Sequence, residues 1–160
     1  MVTVGGTFGY TDASYTQTVF ATQLAAQTPG FFSIVQDGNH LPAAPWTVAL
    51  FGQVNFPVLG KDGYVRGDYQ YGAKQTDTIA SQDPANGAIA GNVPPIASTA
   101  YAALRAGLKW SRFDVSLFAQ NLCNVQPKIS VVNNAGVPSP LFQNITWRPL
   151  TVGITALYRY

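Results

Sequence analysis

Six segments of this chain alternate apolar and polar residues with a period of two, and no charge falls on the apolar phase of any of them. Period two marks a β-strand, whose successive side chains point to opposite faces. Val2, Val4, Gly6, Phe8 and Tyr10 alternate with Thr3, Gly5, Thr7, Gly9 and Thr11. Val48, Leu50, Gly52, Val54 and Phe56 alternate with Thr47, Ala49, Phe51, Gln53 and Asn55, and Val65, Gly67, Tyr69, Tyr71 and Ala73 with Arg66, Asp68 and Gln70. Ala102, Leu104, Ala106, Leu108 and Trp110 alternate with Tyr101, Arg105, Gly107 and Lys109, and Phe113, Val115, Leu117 and Ala119 with Asp114, Ser116, Phe118 and Gln120. In the sixth segment Leu150, Val152, Ile154, Ala156, Tyr158 and Tyr160 face Thr151, Gly153, Thr155 and Arg159, with Leu157 the one apolar residue out of phase.

The strand charges, Arg66, Asp68, Arg105, Lys109, Asp114 and Arg159, all lie on the polar phase, where Gln70 and Gln120 join them. Lipid enforces such segregation, because Arg or Lys facing the middle of a bilayer costs roughly 2–4 kcal/mol. The expected architecture is therefore all-β: an antiparallel transmembrane β-barrel segment of about six strands in a meander. Its apolar phase would face outer-membrane lipid and these eight polar residues would face the lumen.

Composition agrees. Charged residues make up 10 % of the chain and Glu is absent, against roughly 25 % charged in soluble domains. A net charge of +2 without a run of Lys or Arg argues against nucleic acid. No apolar stretch is long enough for a transmembrane helix. The opening MVTVGGTFGY has neither the charged nor the apolar region of a signal peptide, so none is expected. Residues 1–160 read as a single β-barrel segment with no separate domain.

Each segment runs about ten residues, the length that crosses an apolar band about 25 Å tall when the strand is tilted. Two connections are short: Ser111-Arg112, and Pro57 to Gly63 with its Asp-Gly pair. Three are long, about 13–45, 74–98 and 122–145, and rich in Pro, Gly, Asn, Gln and Ser. Short turns on one side and long loops on the other are the layout of an outer-membrane barrel. A hidden hairpin in the loops is best placed at Phe31 to Gln36, ahead of Asp37-Gly38. Aromatic residues fall at two heights. Phe56, Tyr64, Trp110, Phe113, Tyr158 and Tyr160 lie at the short-turn end, and Tyr10, Trp46, Tyr71, Tyr101 and Trp147 at the long-loop end. Two belts are what amphipathic rings form at two membrane interfaces.

The stretches GYTDA (Gly9 to Ala13), GNHLPAAPW (Gly38 to Trp46), YVRGDYQY (Tyr64 to Tyr71), SLFAQNLCN (Ser116 to Asn124) and RPLTVGITALYRY (Arg148 to Tyr160) occur in that order. Together they resemble the C-terminal barrel of TonB-dependent outer-membrane receptors. The resemblance implies a bacterial outer-membrane location and a part in uptake of a scarce solute such as an iron chelate, a vitamin or a saccharide. It also implies Tyr160 as a terminal signal read by the barrel assembly machinery. TonB would act only through a plug domain that these residues do not contain. The alternatives are a small outer-membrane barrel with a structural or adhesive role, which needs at least eight strands, and a soluble β-barrel binding protein, whose apolar phase would face a core.

Catalytic and metal chemistry find little footing. His40 is the only histidine, Cys123 the only cysteine, and Asp77 and Asp83 are too sparse for a calcium loop. No paired carboxylates or nucleophile–base arrangement occur, so neither an enzyme nor a cofactor is expected. Asn121 and Asn124, at the end of the fifth segment, read better as turn residues than as ligand contacts.

Overall fold

Val, Thr, Tyr and Phe at alternating positions favour the pleated, extended backbone, and the six alternating segments are strands in a computed structural model of the chain. The structure describes residues 1–20, 33–41, 43–75, 95–133 and 142–160. In chain order the strands are β1 (Val2–Tyr10), β2 (Trp46–Val58), β3 (Lys61–Gly72), β4 (Thr99–Trp110), β5 (Phe113–Gln120), β6 (Lys128–Asn133), β7 (Phe142–Thr146) and β8 (Thr151–Tyr158). Six of them form one antiparallel sheet in the order β1-β2-β3-β4-β5-β8, and β6 pairs with β7 in a separate two-stranded sheet. The described residues contain no helix. The six-stranded sheet does not close: among the described residues β1 and β8 each pair on one side only. The eight strands therefore divide six and two, short of the single eight-stranded sheet a small barrel requires.

The register carries each phase across the sheet without a slip. Thr3, Gln53, Arg66, Arg105, Phe118 and Gly153 stand in one row, and Val2, Val54, Val65, Ala106, Leu117 and Ile154 in the next. A slip of one residue at any interface would put charges among the valines, so the alternation itself fixes the pairing.

Both short connections are two-residue turns. The first is not where the Asp-Gly pair suggests. Asp62 and Gly63 lie inside β3, paired with Pro57 and Phe56, and the turn is Leu59-Gly60. Both turn residues have positive φ, 49° and 72°, as a type I′ hairpin requires. Gly63 serves packing instead: a Cβ there would meet the Phe56 ring and the Val58 side chain at 3.1 Å. At the second turn Ser111 alone has positive φ, 50°, and Arg112 follows it.

The long connections hold more order than their composition suggests. The 122–145 connection contains the β6–β7 hairpin, with an irregularity between Lys128 and Ser130. In 13–45 the antiparallel pairing continues past the sheet, through bridges Ser14–His40 and Val19–Val35, and Gly38 takes a φ of 84° in the turn that follows. Val35 thus pairs with Val19 rather than within a local Phe31–Gln36 hairpin; Phe31 and Phe32 lie outside the described residues. Gln75–Ile96 extends the β3–β4 pair in the same way. The last strand stops at Tyr158: the Arg159 amide still donates to the Arg112 carbonyl at 2.8 Å, but Tyr160 stands fully exposed beyond the ladder.

Leu59 holds a left-handed backbone that costs an L-residue about 1–2 kcal/mol, and its side chain is almost wholly exposed. Replacing Leu59 by Asn creates the favoured Asn-Gly type I′ pair. The expected result is stabilisation by about 1 kcal/mol, read as a higher urea midpoint; no shift or a fall would contradict the turn assignment.

Candidate functional site

The two faces of the sheet differ in exposure as well as in chemistry. On the apolar face Val4 is 75 % exposed, Phe8 69 % and Ile154 69 %. On the polar face the Arg66 and Asp68 side chains are each only 37 % exposed, and Ser116 is buried. Val35, in the 13–45 connection, is the only fully buried hydrophobic residue among those described. The greasy surface is open and the charged surface is partly covered, by its own side chains.

Three aromatic residues on the polar face provide that cover, and all three use one plan. Phe51 lies across from Gly5, Tyr64 from Gly107 and Phe118 from Gly153. Each ring occupies the space a Cβ would fill: the nearest ring atoms would sit 2.5 Å from a Cβ on Gly5, 2.6 Å from one on Gly107 and 2.6 Å from one on Gly153. Each ring then carries a cation. Arg66 lies 4.6 Å from the Phe51 centroid, Lys109 5.0 Å from Tyr64 and Arg105 5.5 Å from Phe118. Glycine, aromatic ring and cation stack in three layers, and the ring's negative face attracts the charge above it.

This layering also resolves a conflict. Arg66 and Arg105 are directly opposed in the register, where like charges repel. Arg66 leans toward Phe51 on β2 and binds Asp68 through Nε at 3.0 and 3.1 Å and Nη2 at 2.7 Å. Arg105 leans the other way, toward Phe118 on β5, and its Nη1 donates to Ser116 Oγ at 3.1 Å. Tyr64 Oη donates to Asp114 at 3.4 Å, so Asp114 and Lys109, a register pair, both meet the same ring. Gln70 and Gln120 share this face. Arg159 lies past the end of β8.

Among the predicted belt residues, Tyr10 and Trp46 pack at 4.2 Å on the apolar face at the long-loop end, and Tyr71 is on that face too. At the short-turn end Trp110, Phe113 and Tyr158 form a row, with ring centroids 5.7 and 5.0 Å apart, and Phe56 lines a shallow cleft of the same face together with Trp110. Tyr101 departs from the belt. Its register partner is Gln70, so it is on the polar face, and Trp147 meets it there edge to face at 5.2 Å. Tyr64 likewise belongs to the polar face.

Asn121 and Asn124 act structurally. Both take left-handed φ, 55° and 50°. Asn121 is 1 % exposed; its Nδ2 donates to the Val125 and Arg148 carbonyls at 2.7 and 2.8 Å, and its Oδ1 accepts from the Val125 amide. Asn124 Oδ1 accepts from the Leu150 amide. The two side chains tie the exit of β5 to the segment leading into β8. His40 Nδ1 lies 3.7 Å from Asp12 Oδ1 on an exposed edge, and no cluster of three metal-ligating side chains occurs among the described residues. Asp77 and Asp83 lie outside them.

The three-layer stacks were missed in the sequence, although Phe51, Tyr64 and Phe118 stand out there as aromatics on a polar phase. Only the register reveals the glycine opposite each one. No family model, curated protein or solved structure matches the chain.

The stacks make a differential prediction. Gly107→Ala drives a methyl into the Tyr64 ring and should destabilise by about 1–3 kcal/mol. Gly67→Ala, on the apolar face with nothing within 4 Å of its Cβ position, should be neutral or slightly stabilising. Equal unfolding midpoints for the two variants would show that ring and glycine do not depend on each other.

Proposed function

We propose that this chain is the C-terminal barrel segment of a bacterial outer-membrane, TonB-dependent receptor that takes up a scarce solute such as an iron chelate, a vitamin or a saccharide. The observation that carries the membrane reading is the inverted exposure of the sheet. A face of Val, Leu, Ile and Phe left open to water across six strands is a large cost, and lipid removes it. A soluble binding barrel or sandwich would turn that face into a core, and among the described residues nothing packs on it.

The free edges of β1 and β8 support a segment of a larger barrel. Unpaired backbone groups cannot remain open in hydrocarbon, so further strands must continue the sheet. In this reading the long-loop end faces the cell exterior, and the short turns Leu59-Gly60 and Ser111-Arg112 face the periplasm. The receptor function itself rests on the ordered motifs from GYTDA to RPLTVGITALYRY. Lipid covers the apolar face, the assembly machinery inserts the strands, and TonB engages a plug outside these residues.

The test is made on the full-length protein expressed in its own cells, with an epitope inserted between Asn133 and Phe142. The account expects the protein in the outer-membrane fraction, released only by detergent, and the epitope labelled by antibody on intact cells. Recovery in a water-soluble fraction, or labelling only after lysis, would overturn it.

A further inference from the structure

The polar face is divided along its length. Asp62, Arg66, Arg105, Lys109 and Asp114 lie in the half nearer the short turns, and Asp68, just past the middle of β3, is the strand charge that reaches furthest toward the long loops. Beyond its row the strands present Thr7, Thr47, Gln70, Thr99 and Tyr101, none of them charged. At the border stand Gln120 and Thr151, a register pair.

At this end lies a cleft of about 200 Å³, lined by Tyr101, Gln120, Asn121, Trp147, Arg148 and Thr151. Its two rings meet edge to face at 76°, so their planes lie nearly at right angles to each other. Gln120 is exposed and its amide has no hydrogen-bond partner among the described residues, nor has the neighbouring Gln70. The clip made by Asn121, bound to the Arg148 carbonyl on one side and Val125 on the other, holds Trp147's segment against β5.

We infer that this cleft binds an uncharged, hydroxyl-rich ligand, a saccharide with one ring stacked on Trp147, its edge against Tyr101, and hydrogen-bonded by Gln120 and Thr151. Aromatic faces accept the C–H surface of such a ring, and side-chain amides can both donate to and accept from hydroxyls. A multiply charged anion would need several cations, and among the described residues Arg148 is the only one lining the cleft. The inference rests on the receptor reading above and selects, among its solutes, the saccharide class.

The test uses the full-length protein in lauryldimethylamine oxide, a detergent without a sugar headgroup. Trp46→Phe and Trp110→Phe leave Trp147 as the one indole of residues 1–160, and a further Trp147→Phe variant assigns to it the emission change that it abolishes. Maltotriose, cellotriose and xylotriose are titrated as neutral probes, with citrate as the anionic comparator, and saturation-transfer NMR on the unmodified chain provides a second readout. At least one neutral sugar should change Trp147 emission saturably. Gln120→Ala, at an exposed position, should weaken that binding about five-fold, the loss of one hydrogen bond, and Arg105→Gln should leave it unchanged. Saturable binding of citrate in place of the sugars, or no binding of any sugar by either readout, would overturn the inference. The fractionation experiment reads the membrane assignment and this titration reads only the cleft, so the two can fail separately.

Discussion

The rest of the structure depends on the alternation of side chains along a fully paired backbone. A strand cannot choose its faces residue by residue: once one register is set, every second side chain points the same way. In this sheet the rows run unbroken from β1 to β8, so all charges in the sheet strands but Lys61, beside the Leu59-Gly60 turn, gather on one surface and nearly all large aliphatics on the other. With one face apolar and open, the sheet fits the proposed membrane setting, which would supply hydrocarbon on one side and water on the other. Because the backbone bonds are made between strands, the same sheet can stand in lipid without stranding polar groups, apart from its two edges.

The polar surface solves a second problem. A face lined only with Arg, Asp and Gln would leave long, mobile side chains over a glycine-rich backbone. Here Phe51, Tyr64 and Phe118 lie over glycines on neighbouring strands and hold Arg66, Lys109 and Arg105 above them. Each stack spans an interstrand boundary, so it ties strands together while it fixes a charge in place. The stacks lie on the half of the face nearer the short turns or at its border. Beyond the Asp68 row the strands of this face carry no charge, and there the rings of Tyr101 and Trp147 are joined by amides and hydroxyls, with Arg148 the one cation among the described residues at the cleft. One face thus carries two kinds of polar surface, a self-satisfied charged one and a neutral one with free donors and acceptors.

Much of the fold was legible in the sequence because period-two alternation is a local signal. The six main strands, their antiparallel order and the face of each charge follow from it. What was not legible depends on three-dimensional partners. Leu59 has no propensity for a left-handed turn, so Asp62-Gly63 looks the better turn until the pairing of Pro57 with Asp62 is seen. The β6–β7 hairpin hides in a polar, Pro- and Asn-bearing stretch. Tyr101 reads as a belt residue by its height, while its phase assigns it to the polar face, and only the contact with Trp147 shows what it does there. The glycines opposite Phe51, Tyr64 and Phe118 are up to 46 residues away in sequence, beyond any local pattern.

The most direct test of the two-faced sheet is a spin-label scan along β4. In the full-length protein reconstituted in lipid vesicles, with Cys123 replaced by serine, single cysteines at positions 102 to 109 are labelled in turn. Collision with oxygen, which dissolves in lipid, and with a water-soluble nickel chelate is then measured. The account predicts oxygen maxima at positions 102, 104, 106 and 108 and nickel maxima at 103, 105, 107 and 109, the two in antiphase. Profiles that rise and fall together, or that show no period of two, would contradict it.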